Sequence, residues 1–272
     1  MEELKEEYPR EEINSFFYLL AEAFLGMSRL ELALDPNLMT AEAEIGRFED
    51  ALERLKQHEP VQHIIGETEF FGLKFRVNTN VLIPRPETEE LVQWVLDDSS
   101  SEKKELKILD IGTGSGCIAV SLAKNLPQAE VFAIDISEAA LKIARQNSEE
   151  NGVKVNFIQA DVLKLDSLAE QFDVIVSNPP YVRELEKKEM HKNVLNFEPQ
   201  GALYVKDENP LVFYNKIAKL AQQALRENGV LYFEINQYLG HETEEMLKSA
   251  GFQTELRKDI FDNFRMLKGI KQ

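Results

Sequence analysis

An α/β fold on a mostly parallel sheet, preceded by a small helical domain, is what this sequence predicts, and three observations carry it. Between Lys107 and Ser177 short β-branched runs alternate with helical stretches, and repeated strand–helix units pack as a parallel sheet with helices on both faces. Near the end, the run Phe264-Arg265-Met266-Leu267-Lys268 follows a strand-like stretch at 253–256 across a short connection, which permits only antiparallel pairing. Residues 1–60 carry apolar side chains at three- and four-residue steps and almost no strand signal.

A chain of 272 residues has room for one large domain or a medium domain with a smaller companion. Its 31 basic and 48 acidic residues leave a formal charge of −17, which argues against salt-driven binding to a phosphate backbone but leaves basic proteins as partners. A single cysteine precludes an internal disulfide framework and fits a reducing cytosol. His58, His63, His191 and His241 are scattered without metal-ligand spacing, so no metal is expected. The first ten residues are charged, and no run approaches the ~20 apolar residues of a membrane helix. The expectation is a cytoplasmic protein with no membrane partner, and a monomer.

In the first domain, Ile13, Phe16, Phe17, Leu20 and Phe24 predict one face of an amphipathic helix. Asp35-Pro36 reads as a turn and Thr40 as the N-cap of a helix over 43–55 that ends near His58-Glu59-Pro60. Packing is the ordinary role of such a domain; a lid or partner-docking module is the other. Over 61–84 the period changes, and 69–77 reads as two short strands about a glycine-bearing turn, a β-hairpin joining the first domain to a second at 85–272. In Leu82-Ile83-Pro84-Arg85-Pro86 the prolines fix the approach to a helix over 87–96 with acids in its first turn. Arg85 is open to two readings, a surface ion pair or a part in shaping the site.

After a polar break at 97–105, strands at 107–111, 131–135, 155–158 and 172–177 alternate with helices at 117–125 and 138–150, the second ending at Asn151-Gly152. Residues 182–209 are polar and read as one long irregular loop. A helix over 211–225 closed by Asn228-Gly229, a buried strand over 230–235 and a helix over 242–249 complete the pattern.

Chemistry is expected where the run Phe172-Asp173-Val174-Ile175-Val176 stops at Ser177-Asn178-Pro179-Pro180-Tyr181. Proline lacks the N–H that would continue the ladder, so the strand ends at the carboxyl edge of the sheet, where open α/β sheets hold ligands. The Asn178 side-chain oxygen and the Pro179 carbonyl are two acceptors, which suit an NH₂ group whose lone pair is to be turned toward an electrophile. Tyr181 offers a flat face to a planar substrate. A bare strand-ending turn is the alternative.

Gly112-Thr113-Gly114-Ser115-Gly116 is a strand-to-helix turn at which backbone can approach a ligand, and Asp135 lies about 20 residues on at the next strand end, where an acid can hold ribose hydroxyls. The dinucleotide fingerprint wants glycine or alanine at 117, where this chain has Cys117, which counts against NAD. Asp161 ends the third strand, either bonding an adenine amino group with the Val162 backbone framing the ring, or capping a turn. Asp110 either faces the amino-acid end of the cofactor or braces the loop. A nucleoside cofactor opposite two acceptors that orient an NH₂ group points to S-adenosylmethionine, with catalysis by positioning and electrostatics and no metal.

These motifs, with Gln62-His63-Ile64-Ile65-Gly66, Leu82-Ile83-Pro84-Arg85-Pro86-Glu87-Thr88-Glu89 and Phe197-Glu198-Pro199 followed by Ala202-Leu203, resemble over nearly the full length the release factor glutamine N5-methyltransferases. The Asn-Pro-Pro-Tyr tetrapeptide is shared with DNA adenine methyltransferases; Pro84-Arg85-Pro86-Glu87-Thr88-Glu89 and Phe197-Glu198-Pro199 narrow the resemblance. It implies a seven-stranded, Rossmann-like class I methyltransferase domain with an antiparallel last strand, a helical N-terminal substrate-recognition domain and a β-hairpin between them. It also implies methyl transfer from S-adenosylmethionine to the glutamine of the Gly-Gly-Gln motif of peptide-chain release factors, which modulates translation termination. By position Asp110, Gly112, Thr113, Gly114, Ser115, Gly116, Asp135, Asp161, Val162 and Asn178 carry over as cofactor contacts. Asn178, Pro179 and Tyr181 carry over as catalytic, and these with Pro180 and Arg85 as substrate-binding. Asn236 stands where the family more usually has glycine. The rival reading is an N6-adenine methyltransferase, which would have to flip its base and which the acidic charge disfavours; a non-catalytic nucleoside-binding module would be expected to carry damaged motifs, and these are intact.

Overall fold

The structure is a computed structural model and describes residues 2–34, 41–99 and 105–272. The expected turn at Asp35-Pro36, the N-cap at Thr40 and most of the polar break before Glu105 lie outside them. The described residues form two compact units, Met1–Glu67 with Met190–Phe197, and Thr68–Glu189 with Glu198–Gln272.

The smaller unit contains α1 (Arg10–Leu25), α2 (Arg29–Leu34), α3 (Glu42–Lys56) and α4 (Val61–Ile65). Its core gathers Leu4, Ile13, Phe16, Leu20, Ala51, Leu55, Val61 and Ile64. Phe24 packs against this cluster, whereas Phe17 is 39 % exposed; one residue on from Phe16 is a step of about 100° around the helix, which carries it off the stripe. Val61–Ile65, expected to lead into the hairpin, is instead helical and is closed by Gly66 at φ 83°. Its apolar side chains point to the helical core, and that burial outweighs their β propensity.

The hairpin is β1 (Glu67–Phe70) and β2 (Leu73–Arg76). Its turn places Phe71 and Gly72 at φ 50° and 70°, the left-handed pair that matches strand twist. Phe70 and Phe75 are buried in a core cluster that also holds Leu91, Trp94 and Ile118. Next come α5 (Pro86–Ser99), β3 (Lys107–Ile111), α6 (Cys117–Asn125), β4 (Glu130–Asp135), α7 (Glu138–Glu150), β5 (Val155–Gln159) and β6 (Phe172–Ser177). The stretch 182–209 is less irregular than expected: it holds β7 (Val182–Arg183), a 3-10 turn, α8 (Lys192–Phe197), α9 (Gln200–Leu203) and β8 (Tyr204–Val205), with β7 and β8 paired in parallel. The chain ends with α10 (Val212–Ala224), β9 (Leu225–Glu234), α11 (Gly240–Ser249), β10 (Phe252–Lys258) and β11 (Phe264–Lys271).

Seven strands form one sheet in the order β10-β11-β9-β6-β3-β4-β5. β9, β6, β3, β4 and β5 run parallel, and β11 is antiparallel to both neighbours. Ile108, Val174, Val176 and Tyr232 enter one core cluster, while Leu109, Ile175, Leu231 and Phe233 enter another. That alternation along each strand is what a sheet buried on both faces requires. Two expectations need correction. Asn228-Gly229 does not close α10, which ends at Ala224; pairing with β6 jumps from Leu225 to Val230, and Asn228 takes φ 61° in the excursion between. Helix α5 runs on through Asp97 and Asp98, because Gln93 bonds Asp97 one turn on and Asp98 accepts the Tyr232 hydroxyl at 2.6 Å.

Among the described residues no helix is long and apolar enough to cross a membrane, and no group of three His, Cys, Asp or Glu side chains could hold a metal ion.

Candidate active site

Strand order reverses between β3 and β6: the chain leaves β3 toward β4 and β5, and leaves β6 toward β9. Such a switch opens a crevice at the carboxyl ends of the strands. The registers Ile111 to Ile134, Ile111 to Ser177 and Ser177 to Phe233 align those ends, so the glycine turn, Asp135, the Asn178 motif and Glu234 all lie along one edge.

The glycine turn is anchored on β4. Gly112 and Thr113 donate their N–H groups to the Ile134 carbonyl at 2.8 and 3.1 Å, and Gly114 donates to Asp135 Oδ2 at 2.9 Å. Gly112, Gly114 and Gly116 have φ of 78°, 55° and 82°, left-handed values that glycine adopts without steric cost. A methyl group on Gly116 would lie 3.0 Å from Ala144 Cβ, so this glycine is needed for the approach of α6 and α7. Cys117 beside it is buried, and desolvation pushes its thiol up to about 12. A methyl group on Gly114 would meet nothing within 4 Å, which leaves the outer face of the turn open to a ligand. Thr113 and Ser115 turn inward and are buried, so they can meet a ligand through main chain only.

Asp110 is fully buried; its Oδ2 accepts the Thr113 hydroxyl at 2.6 Å, and the Ala119 backbone N–H also favours its charged form. Of its two readings, bracing of the loop is the one these contacts carry. Burial pushes this carboxyl up to about 7, opposed by the Thr113 bond and reinforced by the Asp135 charge. The unfolded group ionises near 3.8, so the folded state binds the extra proton, and the contribution of Asp110 to stability is present at low pH and lost as pH rises to about 7. Chemical denaturation of parent and Asp110→Asn from pH 5 to 8 checks this. The stability of the variant relative to the parent is expected to increase up to about pH 7 and level off above it.

Asp135 accepts the Ser137 N–H on Oδ1 at 2.9 Å and the Gly114 N–H on Oδ2, leaving each oxygen a lone pair for a further donor. Asp161 is half-buried and caps a 3-10 turn over Val162–Lys164, accepting the Leu163 N–H at 3.0 Å and pairing with Lys164 at 3.0 Å. Its capping reading is therefore seen, with Val162 the first residue of the capped turn. Ile136, 62 % exposed directly after Asp135, adds an apolar face at this edge that the motif-based reading passed over.

Across the crevice, the Ser177 hydroxyl donates to the Ile111 carbonyl at 2.6 Å and ties the motif to β3. A methyl group on Gly112 would stand 3.9 Å from the Asn178 carbonyl oxygen, so turn and motif share one cleft. Behind Asn178 and Tyr181 lies a buried chain of hydrogen bonds. Arg265 Nη1 donates to the Tyr181 hydroxyl at 3.4 Å, and that hydroxyl donates to Glu234 Oε1 at 2.9 Å. The Thr88 hydroxyl donates to Glu234 Oε2 at 2.6 Å, and Asn178 Nδ2 faces Thr88 Oγ1 at 3.4 Å. Burial raises the Glu234 carboxyl, against the pull of Thr88, Tyr181 and Arg265. Burial also raises the Tyr181 phenol, aided by the Glu234 charge. The phenol thus stays neutral, with its hydroxyl held from behind. Arg265 is fixed in turn by buried Asp259, whose Oδ2 accepts Nε at 3.2 Å.

Arg85 does not stand free: its Nη2 meets Glu198 Oε1 at 2.5 Å, and Glu198, with a side chain 1 % exposed, also accepts the Ile83 N–H at 3.3 Å. Of its two readings the ion pair is the one these contacts show, with a carboxylate that is buried and also held by the segment entering α5. At Asn236, the departure from the family pattern, the side chain is buried and donates to the Tyr181 carbonyl at 3.0 Å and to the Glu186 carboxylate at 3.0 Å. Glycine could make neither bond, so this chain fastens the residue after the two prolines in its own way.

Thr88, Asn147, Glu198, Glu234 and Arg265 were absent from the sequence-based candidates. Thr88 and Glu198 lie within the quoted motifs, and Glu234 is an acid ending a buried apolar run, which is a usable signal. Asn147, in mid-helix, carried none. It accepts the Arg76 N–H at 2.6 Å and donates to the Arg76 and Ser115 carbonyls at 3.1 and 2.8 Å, joining the hairpin to the glycine turn.

Comparison with known proteins decides the family. A methyltransferase-domain profile matches residues 102–269, and a PrmC N-terminal domain profile matches residues 2–66. A release factor glutamine methyltransferase of Flavobacterium psychrophilum is 55 % identical over 264 residues, covering 96 % of this chain and 93 % of the relative. The chain belongs to the release factor glutamine methyltransferase family. The relative of the same description from Bacteroides thetaiotaomicron is 45 % identical, over 97 % of this chain and 95 % of its own. In fold, the chain is similar to the T. thermophilus 16S rRNA N2 G1207 methyltransferase solved with AdoMet and guanosine, with a TM-score of 0.53 and 21 % identity over 76 % of this chain and 50 % of that one. As a family member, this chain is an enzyme of the methyltransferase class, on a class I methyltransferase fold.

Proposed function

We propose that this chain methylates the side-chain amide nitrogen, N5, of the glutamine in the Gly-Gly-Gln motif of peptide-chain release factors, using S-adenosylmethionine. The observation that carries the reading is the shared cleft, with Asn178 beside the glycine turn and its carbonyl 3.9 Å from a methyl group built on Gly112. The turn fits the cofactor: its outer face is open at Gly114, and Asp135 keeps free lone pairs. Gly112 to Gly116 would hold the amino-acid end, Asp135 the ribose, and Asp161 with Val162 and Ile136 the adenine. S-adenosylmethionine supplies the electrophilic methyl group, whose bonding electrons remain with sulfur as the new N–C bond forms.

The chain's own part is positioning. Asn178 Oδ1 and the Pro179 carbonyl each accept one hydrogen of the glutamine NH₂, which turns the nitrogen lone pair toward the methyl group and stabilises the positive charge that develops there. Pro180 keeps the turn extended, Tyr181 packs on the amide plane, and the extra proton is lost to water. Arg85 acts indirectly, through Glu198, by holding the segment that enters α5. The helical domain docks the substrate, the partner is a basic protein surface and not nucleic acid, and the enzyme works in the cytoplasm as a monomer.

Labelled S-adenosylmethionine incubated with release factor and, separately, with nucleic acid tests the reading. Label on the Gly-Gly-Gln glutamine alone is expected, and label on adenine would overturn it. Asp135→Ala is expected to weaken cofactor binding by about 1.5 to 3 kcal/mol, the range for charge-assisted hydrogen bonds, as measured by calorimetry.

A further inference from the structure

The amide of Asn178 has two orientations of nearly equal shape, and only one presents its oxygen to a substrate N–H. Which is adopted follows from the groups behind it. A guanidinium has no acceptor, so Arg265 can only donate to the Tyr181 hydroxyl, and that hydroxyl places its single proton on Glu234 Oε1. The other carboxylate oxygen, Oε2, takes the proton of Thr88 at 2.6 Å. With its proton committed, Thr88 Oγ1 offers the neighbouring amide only lone pairs, and the Asn178 atom facing it at 3.4 Å is Nδ2. Glu234 is 2 % exposed and Thr88 is 2 % exposed, so water is not at hand to reverse the sequence of donors.

We infer that Thr88 and Glu234 are positioning residues that set the amide orientation of Asn178, turning Nδ2 inward and Oδ1 toward the substrate. The inference rests on the functional reading above for its kinetic consequence, but the orientation itself can be measured without substrate. Glu234→Gln is the sharpest probe. It preserves shape but introduces an NH₂ that can donate to Thr88, freeing the Thr88 proton for Asn178 and inviting the amide to flip. An Asn178 N–H would then face an N–H of the reacting nitrogen, leaving the Pro179 carbonyl as its one remaining acceptor. Thr88→Val removes the hydroxyl at constant volume, and Thr88→Ser restores it.

The experiment compares the full-length parent, Thr88→Val, Thr88→Ser and Glu234→Gln by single-turnover methyl transfer to release factor at saturating S-adenosylmethionine. Cofactor affinity, thermal melts and the ¹H–¹⁵N resonances of the Asn178 side-chain amide are measured alongside. Thr88→Val and Glu234→Gln are expected to slow transfer about 10- to 100-fold, the scale of lost outer-shell partners, with cofactor affinity retained and the Asn178 resonances displaced. Thr88→Ser is expected to recover rate and resonances together. Parental rates in Thr88→Val, or a loss in Thr88→Ser as deep as in Thr88→Val, would overturn the inference. If the parent itself leaves release-factor glutamine unmethylated, the functional reading fails; the resonances still decide the orientation, and an Asn178 amide unmoved by Thr88→Val sinks it.

Discussion

Asn178→Ala is expected to cut single-turnover methyl transfer by about 10² to 10³, equivalent to roughly 2.7 to 4 kcal/mol, by analogy with the loss of one oriented group at a site of developing charge. Cofactor affinity and melting temperature should change far less, because the local fold is held by other contacts: Ser177 on the Ile111 carbonyl, Asn236 on the Tyr181 carbonyl, and Tyr181 on Glu234. Asn178→Asp separates an acceptor role from a need for the whole amide. A carboxylate keeps the acceptor facing the substrate, and on that ground alone it would retain activity. But it also sets an oxygen against Thr88 Oγ1, whose proton already serves Glu234, and adds a negative charge beside a buried carboxylate. The expected outcome is therefore a loss as deep as in Asn178→Ala. A variant Asn178→Ala that melts early yet transfers methyl groups at the parental rate would reduce Asn178 to a turn residue and remove the basis of the mechanism.

Arg85→Ala is expected to act first on stability. The Glu198 side chain is 1 % exposed and that of Arg85 33 %, so removing the cation strands a carboxylate from which water is excluded. Breaking a fully buried pair costs about 3 to 5 kcal/mol; the partial exposure of Arg85 and the remaining bond from the Ile83 N–H place this case near 2 to 3 kcal/mol. Urea denaturation measures it. Glu198→Gln in the same chain should recover much of the loss, since the neutral amide still accepts from Ile83 and has no charge to strand. Equal stability of Arg85→Ala and parent would return the pair to the class of surface ion pairs that contribute little.

Much of the molecule was legible from local pattern. The strands Lys107–Ile111 and Phe172–Ser177 and the helices Cys117–Asn125 and Glu138–Glu150 fall where periodicity and capping residues put them, because each is specified by its own alternation and by glycine, serine or asparagine at its ends. Where the reading failed, long-range burial had overridden local preference. Val61–Ile65 is helical because its side chains complete the core of the helical unit, and Asn228-Gly229 marks an excursion within β9 because the register with β6 demands it.

The same division runs through the site. The glycine turn, Asp135 and Asn178-Pro179-Pro180-Tyr181 could be found in the sequence, since each is a contiguous motif whose residue types are set by backbone geometry at a strand end. What surrounds them could not. Thr88, Glu234 and Arg265 are far apart in the chain and meet only after α5 and β11 have come together on β9. The sequence by itself determined which groups are available to bind a cofactor and an amide. Only the tertiary structure decided which way those groups face, because a hydrogen-bond direction depends on the partner behind the donor, and no local pattern encodes a partner 146 residues away.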